Sequence, residues 1–190
     1  MFIEEYILSS IDTKQKILDD KSIIETIKKA ADAVVESYRH GGKVITAGNG
    51  GSAGDAQHIA GELVLKFYID RPGLSAISLS TDTSVLTAIG NDACFESVFA
   101  RQIQANGNRG DIFLAISTSG NSVNIINALE EARNKGVVTI GLTGAKPCNM
   151  DSLCDFLIKV PSVDTPKIQE AQMMIGHILC AIVEKKLFQE

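Results

Sequence analysis

The sequence predicts an α/β fold, with a doubly wound sheet of five parallel strands flanked by helices and two further helices ahead of the sheet. Five short, nearly continuous apolar runs alternate with longer segments whose apolar residues recur at helical spacing. Strands of that composition are typical of parallel sheets, because helices cover both faces of such a sheet. Loops rich in glycine and hydroxyl groups follow several of the runs, at the positions where open α/β sheets bind ligands.

The segment ahead of the first strand predicts two helices. Between residues 3 and 38 the apolar residues recur at helical spacing, with an interruption at Asp19 and Asp20. His40, Gly41 and Gly42 follow, and glycine just beyond the last turn is typical of a helix end. We expect residues 1–40 to form these helices and residues 41–190 to form the α/β core. The 190 residues then make a single domain, long enough for a proper hydrophobic core.

Beyond this segment, strands and helices alternate. The predicted strands cover residues 43–48, 74–80, 111–117, 137–144 and 155–160. The predicted helices cover residues 52–67, 83–90, 96–105, 124–136 and 168–188. Ligands bind beyond the carboxyl ends of the strands in such folds, so the loops of interest are 49–52, 80–82, 117–122 and 143–146.

Composition excludes several classes of function. A net charge of −5 and a pI near 5.2 argue against a nucleic-acid partner, which usually requires a basic face. No apolar run approaches the roughly 20 residues that span a bilayer, so no membrane partner is expected. The acidic, amphipathic start is unlike a signal peptide, and the four cysteines show no paired spacing. These features predict reduced thiols in a cytoplasmic protein.

The first loop and its helix read GNGGSAGDAQHIAGEL from Gly48 to Leu63. Glycines in a turn let the backbone approach a ligand closely. The loop matches G-x-G-x-x-G/A, but the second predicted strand lacks the acidic residue that binds a ribose, so a dinucleotide is not favoured. His58 and Glu62 are four residues apart and share a helix face. An exposed ion pair is the alternative, but their place just after this loop favours a functional role.

The second loop, Ser117-Thr118-Ser119-Gly120-Asn121-Ser122, directly follows the strand DIFLAI. Its hydroxyls, its backbone N–H groups and the dipole of the next helix predict a phosphate site. The alternative is that Ser119 or Ser122 only caps that helix. One cap explains one serine, whereas four hydroxyls in six residues favour a phosphate. Since the loop contains no lysine or arginine, we expect neutral donors to hold a phosphate ester.

Two further pairs of polar residues lie near predicted ligand-binding elements. Gln169 and His177 occur on an otherwise largely apolar helix, where a histidine is often a hydrogen-bonded core residue. Asn91 and Asp92 follow Gly90 at the end of a helical stretch. A ligand contact and a simple helix end remain equally open for this second pair.

Four segments taken together resemble the sedoheptulose 7-phosphate isomerase (phosphoheptose isomerase) family. They are GNGGSAGDAQHIAGEL, TAIGNDACFE, LAISTSGNS and IQEAQMMIGHIL, in this order, and the likeness covers nearly the whole chain. The family consists of single-domain members of the sugar-isomerase (SIS) fold. The resemblance implies conversion of sedoheptulose 7-phosphate to D-glycero-D-manno-heptose 7-phosphate by proton transfer through an enediol. That reaction is the first step of ADP- or GDP-heptose precursor synthesis, for lipopolysaccharide, capsule or another glycoconjugate.

The resemblance also implies roles for individual residues. The substrate-binding positions are Asn49, Gly50, Gly51, Ser52, Glu62, Asn91, Asp92, Ser117, Thr118, Ser119, Ser122 and Gln169. The positions for one zinc ion per subunit are His58, Glu62, Gln169 and His177, and the acid/base pair is Glu62 with His177. A zinc ion held there is a Lewis acid for the carbonyl group, but a glutamate engaged as a ligand is a poorer base.

The family likeness further implies a homotetramer with active sites at subunit interfaces. Helix geometry points the same way, because Gln169 and His177 are eight residues apart. On one straight helix their Cα atoms are separated by about 12 Å and rotated by about 80°. A neighbouring subunit that supplies one of them relieves this separation. The alternative function is a non-catalytic SIS-fold tetramer that binds the bacterial replication initiator protein and keeps much of the same motif set.

Overall fold

A computed structural model describes residues 1–189 of the chain. The helices are α1 (Phe2–Asp19), α2 (Lys21–Arg39), α3 (Gly51–Val64), α4 (Thr83–Asp92), α5 (Val98–Asn106), α6 (Val123–Asn134) and α7 (Thr165–Phe188). The strands are β1 (Val44–Gly48), β2 (Ala76–Ser78), β3 (Ile112–Ile116), β4 (Val138–Thr143) and β5 (Phe156–Lys159). Glu190, which the predicted domain of residues 1–190 includes, lies outside the described residues.

The five strands form one parallel sheet in the order β2-β1-β3-β4-β5, which confirms the predicted fold class. The chain moves from β1 outward to β2 and then returns to the other side of β1, so the switch point lies between β1 and β3. Gly48 at the end of β1 is level with Ile116 at the end of β3. Two of the loops predicted to bind the ligand, those after β1 and β3, therefore begin side by side at the same edge of the sheet.

Helices cover both faces of the sheet, as near-continuous apolar strands require. One core layer packs α1, α2, α3 and α7 against one face, with Ile112, Leu114 and Ile116 of β3 pointing into it. The other layer packs α5 and α6 against the opposite face, with Phe113 and Ala115 of β3 pointing into it. Alternate residues of one strand thus serve two cores. Helices α3 and α7 share a layer, although most of the chain lies between them.

The two leading helices are joined as predicted, with a break at Asp20. Its carboxylate accepts hydrogen bonds from the backbone N–H of Ser22 (2.8 Å) and Ile23 (3.3 Å) and so caps α2. Helix α1 packs on α7, where the Ser10 hydroxyl donates to Glu170 and the Lys167 ammonium lies over the Tyr6 ring.

Most predicted boundaries differ from those of the structure by one to three residues. Helix α3 ends at Val64 instead of residue 67, because residues 67–69 donate their backbone N–H groups to a carboxylate of α7. Strand β2 covers only Ala76–Ser78, since an edge strand pairs on one side alone. Helix α4 continues through Asp92, two residues beyond the predicted end. Within residues 1–189, no helix combines the length and the apolar character needed to cross a bilayer.

Candidate functional site

The hydroxyl loop (residues 117–122) folds around the side chain of Ser117. Its hydroxyl oxygen accepts a hydrogen bond from the backbone N–H of Gly120 (3.2 Å) and lies 3.1 Å from Oγ of Ser122. Oγ of Ser119 lies 3.5 Å from the same oxygen and accepts from the N–H of Asn121 (3.2 Å). Three hydroxyls are therefore gathered at the N-terminus of α6, where the helix dipole favours an anion.

The capping alternative does not describe Ser122. This serine occupies the N-cap position of α6, yet its side chain makes no capping hydrogen bond. The hydroxyl turns to Ser117 instead, which leaves the first N–H groups of the helix without a side-chain cap from Ser122. The arrangement keeps both the hydroxyl group and these N–H groups at the mouth of the loop.

A pocket beside the hydroxyl loop adds a cation that the sequence analysis did not include. Thr118 and Ser119 line one wall, and Lys146, Ser162 and Thr165 line another. Lys146 belongs to the loop after β4, which was among the predicted ligand-binding loops, but its side chain was not singled out. The loop itself carries only neutral side-chain donors, whereas the lining of the adjoining pocket includes this lysine.

The glycine loop after β1 is fixed from two sides. The side-chain amides of Asn49 and Asn124 hydrogen-bond each other reciprocally, both at 2.9 Å, which joins the loop to α6. A Cβ atom at Gly51 would lie 2.3 Å from Nε2 of Gln169, so glycine allows the start of α7 to touch this loop. Gly50 is exposed, whereas Ser52 is buried beneath the loop. The Asn49 side chain thus has a structural partner within the chain.

Helices α3 and α7 bring His58, Glu62 and His177 together; these residues are named the His/Glu/His group here. Nε2 of His58 lies 3.1 Å from Oε1 of Glu62 and 3.0 Å from Nε2 of His177. One ligand atom from each side chain lies within 4.8 Å of the other two. Gly176 permits this approach, because a Cβ atom there would lie 2.5 Å from Cδ1 of the buried Ile59.

The donor set fits a zinc ion. Two donors that share a tetrahedral zinc at bond lengths of about 2.0–2.1 Å lie roughly 3.3 Å apart. The separations of 3.1 Å and 3.0 Å around Nε2 of His58 are close to that value. Two imidazoles and one carboxylate are ligands that zinc accepts, with a further position left for another ligand or a substrate oxygen. Gln169, two turns before His177 on α7, packs against Gly51.

Two ionisable groups next to the His/Glu/His group have raised pKa values. Burial raises the pKa of the Asp55 carboxyl, one turn before His58, and the nearby histidine offsets only part of this effect. Burial, followed by the charge of Glu62, raises the pKa of the Cys180 thiol to about 12. Both shifts favour the uncharged side chain.

Comparison with known proteins decides the family. A model of the SIS domain matches residues 5–144. The phosphoheptose isomerase of Aneurinibacillus thermoaerophilus is 55% identical over 188 residues, which cover 99% of this chain and 95% of that protein. Phosphoheptose isomerase 2 of Campylobacter jejuni subsp. jejuni is 56% identical over 187 residues, which cover 98% and 93%. The chain belongs to the phosphoheptose isomerase family.

A solved structure agrees with this membership of the phosphoheptose isomerase family. The structure of a phosphoheptose isomerase from Francisella tularensis superposes with a TM-score of 0.92 at 39% identity and covers 96% of each chain. The resemblance recognised in the four sequence segments is therefore confirmed, and so is the SIS fold.

The residues expected from the phosphoheptose isomerase family do not all meet in the described chain. Glu62 and His177 come together within one chain, so no second subunit is needed to join them. Asn91 and Asp92 are the last two residues of α4 and are exposed, and the Asn91 amide donates to the Asp92 carboxylate at 2.7 Å. The helix-end interpretation of this pair describes its local position, and a ligand contact stays a prediction.

Sequence reasoning missed three residues, Asn124, Glu184 and Arg71, whose hydrogen bonds involve the loops and helices of the site. Asn124 follows the hydroxyl loop closely, and its amide group on an otherwise buried helix face was an available signal. Glu184 is an acidic residue on the apolar last helix, seven residues after His177 and so on the same side. Nothing in the local sequence distinguished Arg71 from a surface arginine.

Proposed function

We propose that this chain is an aldose–ketose isomerase that interconverts sedoheptulose 7-phosphate and D-glycero-D-manno-heptose 7-phosphate. The observation that carries the proposal is the meeting of Glu62 and His177 in one chain, next to a glycine loop that begins level with the hydroxyl loop. Membership of the phosphoheptose isomerase family supports the substrate. The product then enters ADP- or GDP-heptose precursor synthesis, for lipopolysaccharide or capsule.

The phosphate of the substrate binds at the hydroxyl loop in this proposal. The hydroxyls of Ser117, Ser119 and Ser122 converge there, and Thr118 lines the adjoining pocket. Hydroxyl and backbone N–H donors at a helix N-terminus bind an anion without a lysine or arginine side chain. The sugar chain extends from this loop past Asn49, Gly50, Gly51 and Ser52 toward α3, with Asn91, Asp92 and Gln169 as further contacts.

The proton transfer is assigned to Glu62 and His177. The Glu62 carboxylate removes a proton from C1 of the ketose, and protonated His177 donates a proton to the carbonyl oxygen at C2. The resulting enediol loses the proton of its C1 hydroxyl to His177, and Glu62 returns a proton to C2. Both groups end in their starting protonation states. Because their reactive atoms lie within 4.8 Å, one small enediol reaches both.

We propose one zinc ion per subunit, held by His58, Glu62, Gln169 and His177. When bound, zinc supplies Lewis acidity that polarises a carbonyl oxygen. Glu62 and His177 would then be ligands as well as the acid/base pair, and a carboxylate or imidazole bound to a metal transfers protons less readily than a free one. Removal of metal with a chelator, followed by assay with and without added zinc, tests whether turnover depends on the ion.

The proposed function is tested by turnover of the purified wild-type protein with sedoheptulose 7-phosphate. Product is followed by NMR, and unphosphorylated sedoheptulose is the control substrate. We expect turnover of the phosphate ester and much weaker turnover of the free sugar, because the hydroxyl loop has no phosphate to bind in the control. Absence of turnover with zinc present would contradict the proposal and favour the non-catalytic, initiator-binding alternative.

We also propose that residues 1–190 act as one domain that assembles into a cytoplasmic homotetramer with active sites at its interfaces. One face of α1 supports the assembly, since Ile7, Ile11 and Leu18 share it by helical spacing and are 52%, 55% and 66% exposed. An apolar face of this kind is typical of an interaction surface. Light scattering at micromolar concentration should give about four times the chain mass of 20.3 kDa. A monomer with full activity would exclude the interfacial site.

A further inference from the structure

A buried ion pair connects the loop after α3 with the last helix. Nε of Arg71 donates a hydrogen bond to Oε2 of Glu184 over 2.8 Å. The two side chains are only 1% and 2% exposed, so neither charge is solvated by bulk water. Buried charges of this kind require several further partners to offset the loss of hydration.

The partners of this ion pair are parts of the site. Arg71 donates to the backbone carbonyls of Glu62 (3.0 Å) and Leu63 (2.9 Å), near the carboxyl end of α3. Carbonyls in the last turn of a helix have no intrahelical partner, so the guanidinium satisfies groups that α3 leaves open. Arg71 thus holds the backbone of Glu62 itself.

Glu184 accepts three hydrogen bonds from the backbone of the same loop. The N–H groups of Phe67, Tyr68 and Ile69 donate to its carboxylate at 2.8, 2.7 and 3.0 Å. Burial would raise the pKa of this carboxyl, but these N–H groups and Arg71 together hold it below its ordinary value. Glu184 therefore remains a carboxylate that fixes the loop to α7.

The loop in turn forms a wall beside His177. The ring centroid of Phe67 lies 5.5 Å from that of His177. Tyr68 and His177 also line the same surface pocket, next to Glu170. Two of the three N–H groups that donate to Glu184 belong to these aromatic residues, so the ion pair also holds this wall in place.

We propose that Arg71 and Glu184 are positioning residues that set the distance between Glu62 on α3 and His177 on α7. Arg71 is bonded to the backbone of Glu62, and Glu184 lies about two turns after His177 on the same helix. Loss of the pair lets the helices separate at the His/Glu/His group and leaves the hydroxyl loop untouched. Where turnover is concerned, this inference rests on the proposed function; where metal binding is concerned, it rests on the donor geometry.

The test compares Glu184→Gln with a matched variant at another buried ion pair. Asp111 pairs with Lys43 and accepts hydrogen bonds from the backbone N–H of Lys43 (3.0 Å) and Asn108 (2.8 Å). It precedes β3, and its printed partners Lys43 and Asn108 belong to neither α3 nor α7. Asp111→Asn therefore removes a buried carboxylate of the same kind without touching the helices that form the group.

Four quantities are measured for each variant: the urea midpoint, the zinc affinity by competition with a chromogenic chelator, kcat and KM. We expect both variants to lose stability. Only Glu184→Gln should weaken zinc binding and lower kcat, each by about 10–100-fold, as replacement of residues behind metal ligands typically does. Its KM should stay within about threefold of wild type, because the phosphate donors are unchanged.

The outcomes separate a positioning role from a purely structural one. Wild-type zinc affinity and kcat in Glu184→Gln, with a lowered urea midpoint as in Asp111→Asn, would overturn the inference. If Glu184→Gln does not fold, Arg71→Lys keeps the charge but loses donors, and it should still weaken zinc binding at least severalfold. If the wild type shows no turnover, the proposed function fails, and the comparison of zinc affinities still decides this inference.

Discussion

The hydroxyl loop and the His/Glu/His group are the two halves of the candidate site, and they are assembled by different means. The loop is contiguous, lies between one strand and one helix, and is ordered by hydrogen bonds among its own residues. The group joins residues 119 positions apart and exists only where α3 packs on α7. Phosphate binding and proton transfer therefore depend on different parts of the fold. A substitution in one part should leave the other largely unchanged.

The largest effect is expected at the group itself. Glu62→Gln removes the base but keeps the size of the side chain, so kcat should fall by about 10²–10⁴-fold. The urea midpoint should change little. Glu130→Gln, on the exposed face of α6, is the matched control and should retain full turnover. Near-normal kcat in Glu62→Gln would remove this residue from the mechanism.

A smaller effect is expected at the hydroxyl loop, and it should appear in KM more than in kcat. Ser119→Ala combined with Ser122→Ala removes two of the converging hydroxyls. Hydrogen bonds to charged groups are worth about 1.5–3 kcal/mol each, so KM should rise at least tenfold while kcat falls less. Turnover of unphosphorylated sedoheptulose should be unaffected, and unchanged affinity for inorganic phosphate would count against the loop assignment.

A third substitution acts on the contact between the helices. Gly176→Ala places a Cβ atom 2.5 Å from Cδ1 of Ile59, which overpacks the core at the point where α7 meets α3. The cost should be about 1–3 kcal/mol of unfolding free energy, with weaker zinc binding and unchanged phosphate affinity. Adding Ile59→Val removes Cδ1 and leaves one close carbon, Cγ1 at 2.8 Å, so it should restore part of the loss. If zinc binding did not recover at all, the contact between residues 176 and 59 would not be what limits how closely α7 approaches α3.

The smallest expected effect requires no substitution and no loss of activity. Burial raises the pKa of Cys154 and of Cys180 to about 12, whereas Cys94 is exposed. At pH 8 a thiol with such a pKa is ionised only to the order of 10⁻⁴, and the thiolate is the reactive form. Mass spectrometry should show alkylation of Cys94 long before Cys180. Rapid labelling of Cys180 in the folded protein would mean that the α3–α7 contact opens readily.

The difference between the two halves also explains what the sequence could predict. All the evidence for the hydroxyl loop lies within six residues, and its position after a strand follows from the alternation of elements. His58 and Glu62 could be paired by helical spacing alone. Placing His177 beside them required the family resemblance, because no local sequence pattern predicts that α7 packs on α3.

The features that could not be predicted are those that depend on tertiary packing. The apolar residues after Val64 continue a helical pattern, yet the helix ends because Glu184 holds the following N–H groups. The Arg71–Glu184 pair is invisible in sequence, since its members are 113 positions apart and charged residues are usually exposed. The argument that a second subunit supplies Gln169 or His177 rested on their separation along one helix, whereas Gly51 and Gly176 let both parts of α7 contact α3 of the same chain.

The sharing of one core layer by α1, α2 and α7 has a consequence for synthesis on the ribosome. The first two helices are made early, but α7, the helix that covers them, begins only at Thr165. At about 5–20 residues per second, the apolar faces of α1 and α2 wait on the order of ten seconds for their partner. During that interval the nascent chain exposes surface that chaperones bind, and neighbouring nascent chains can aggregate through it. The His/Glu/His group is completed at the same late moment, so the site cannot bind metal through all three residues until α7 has emerged.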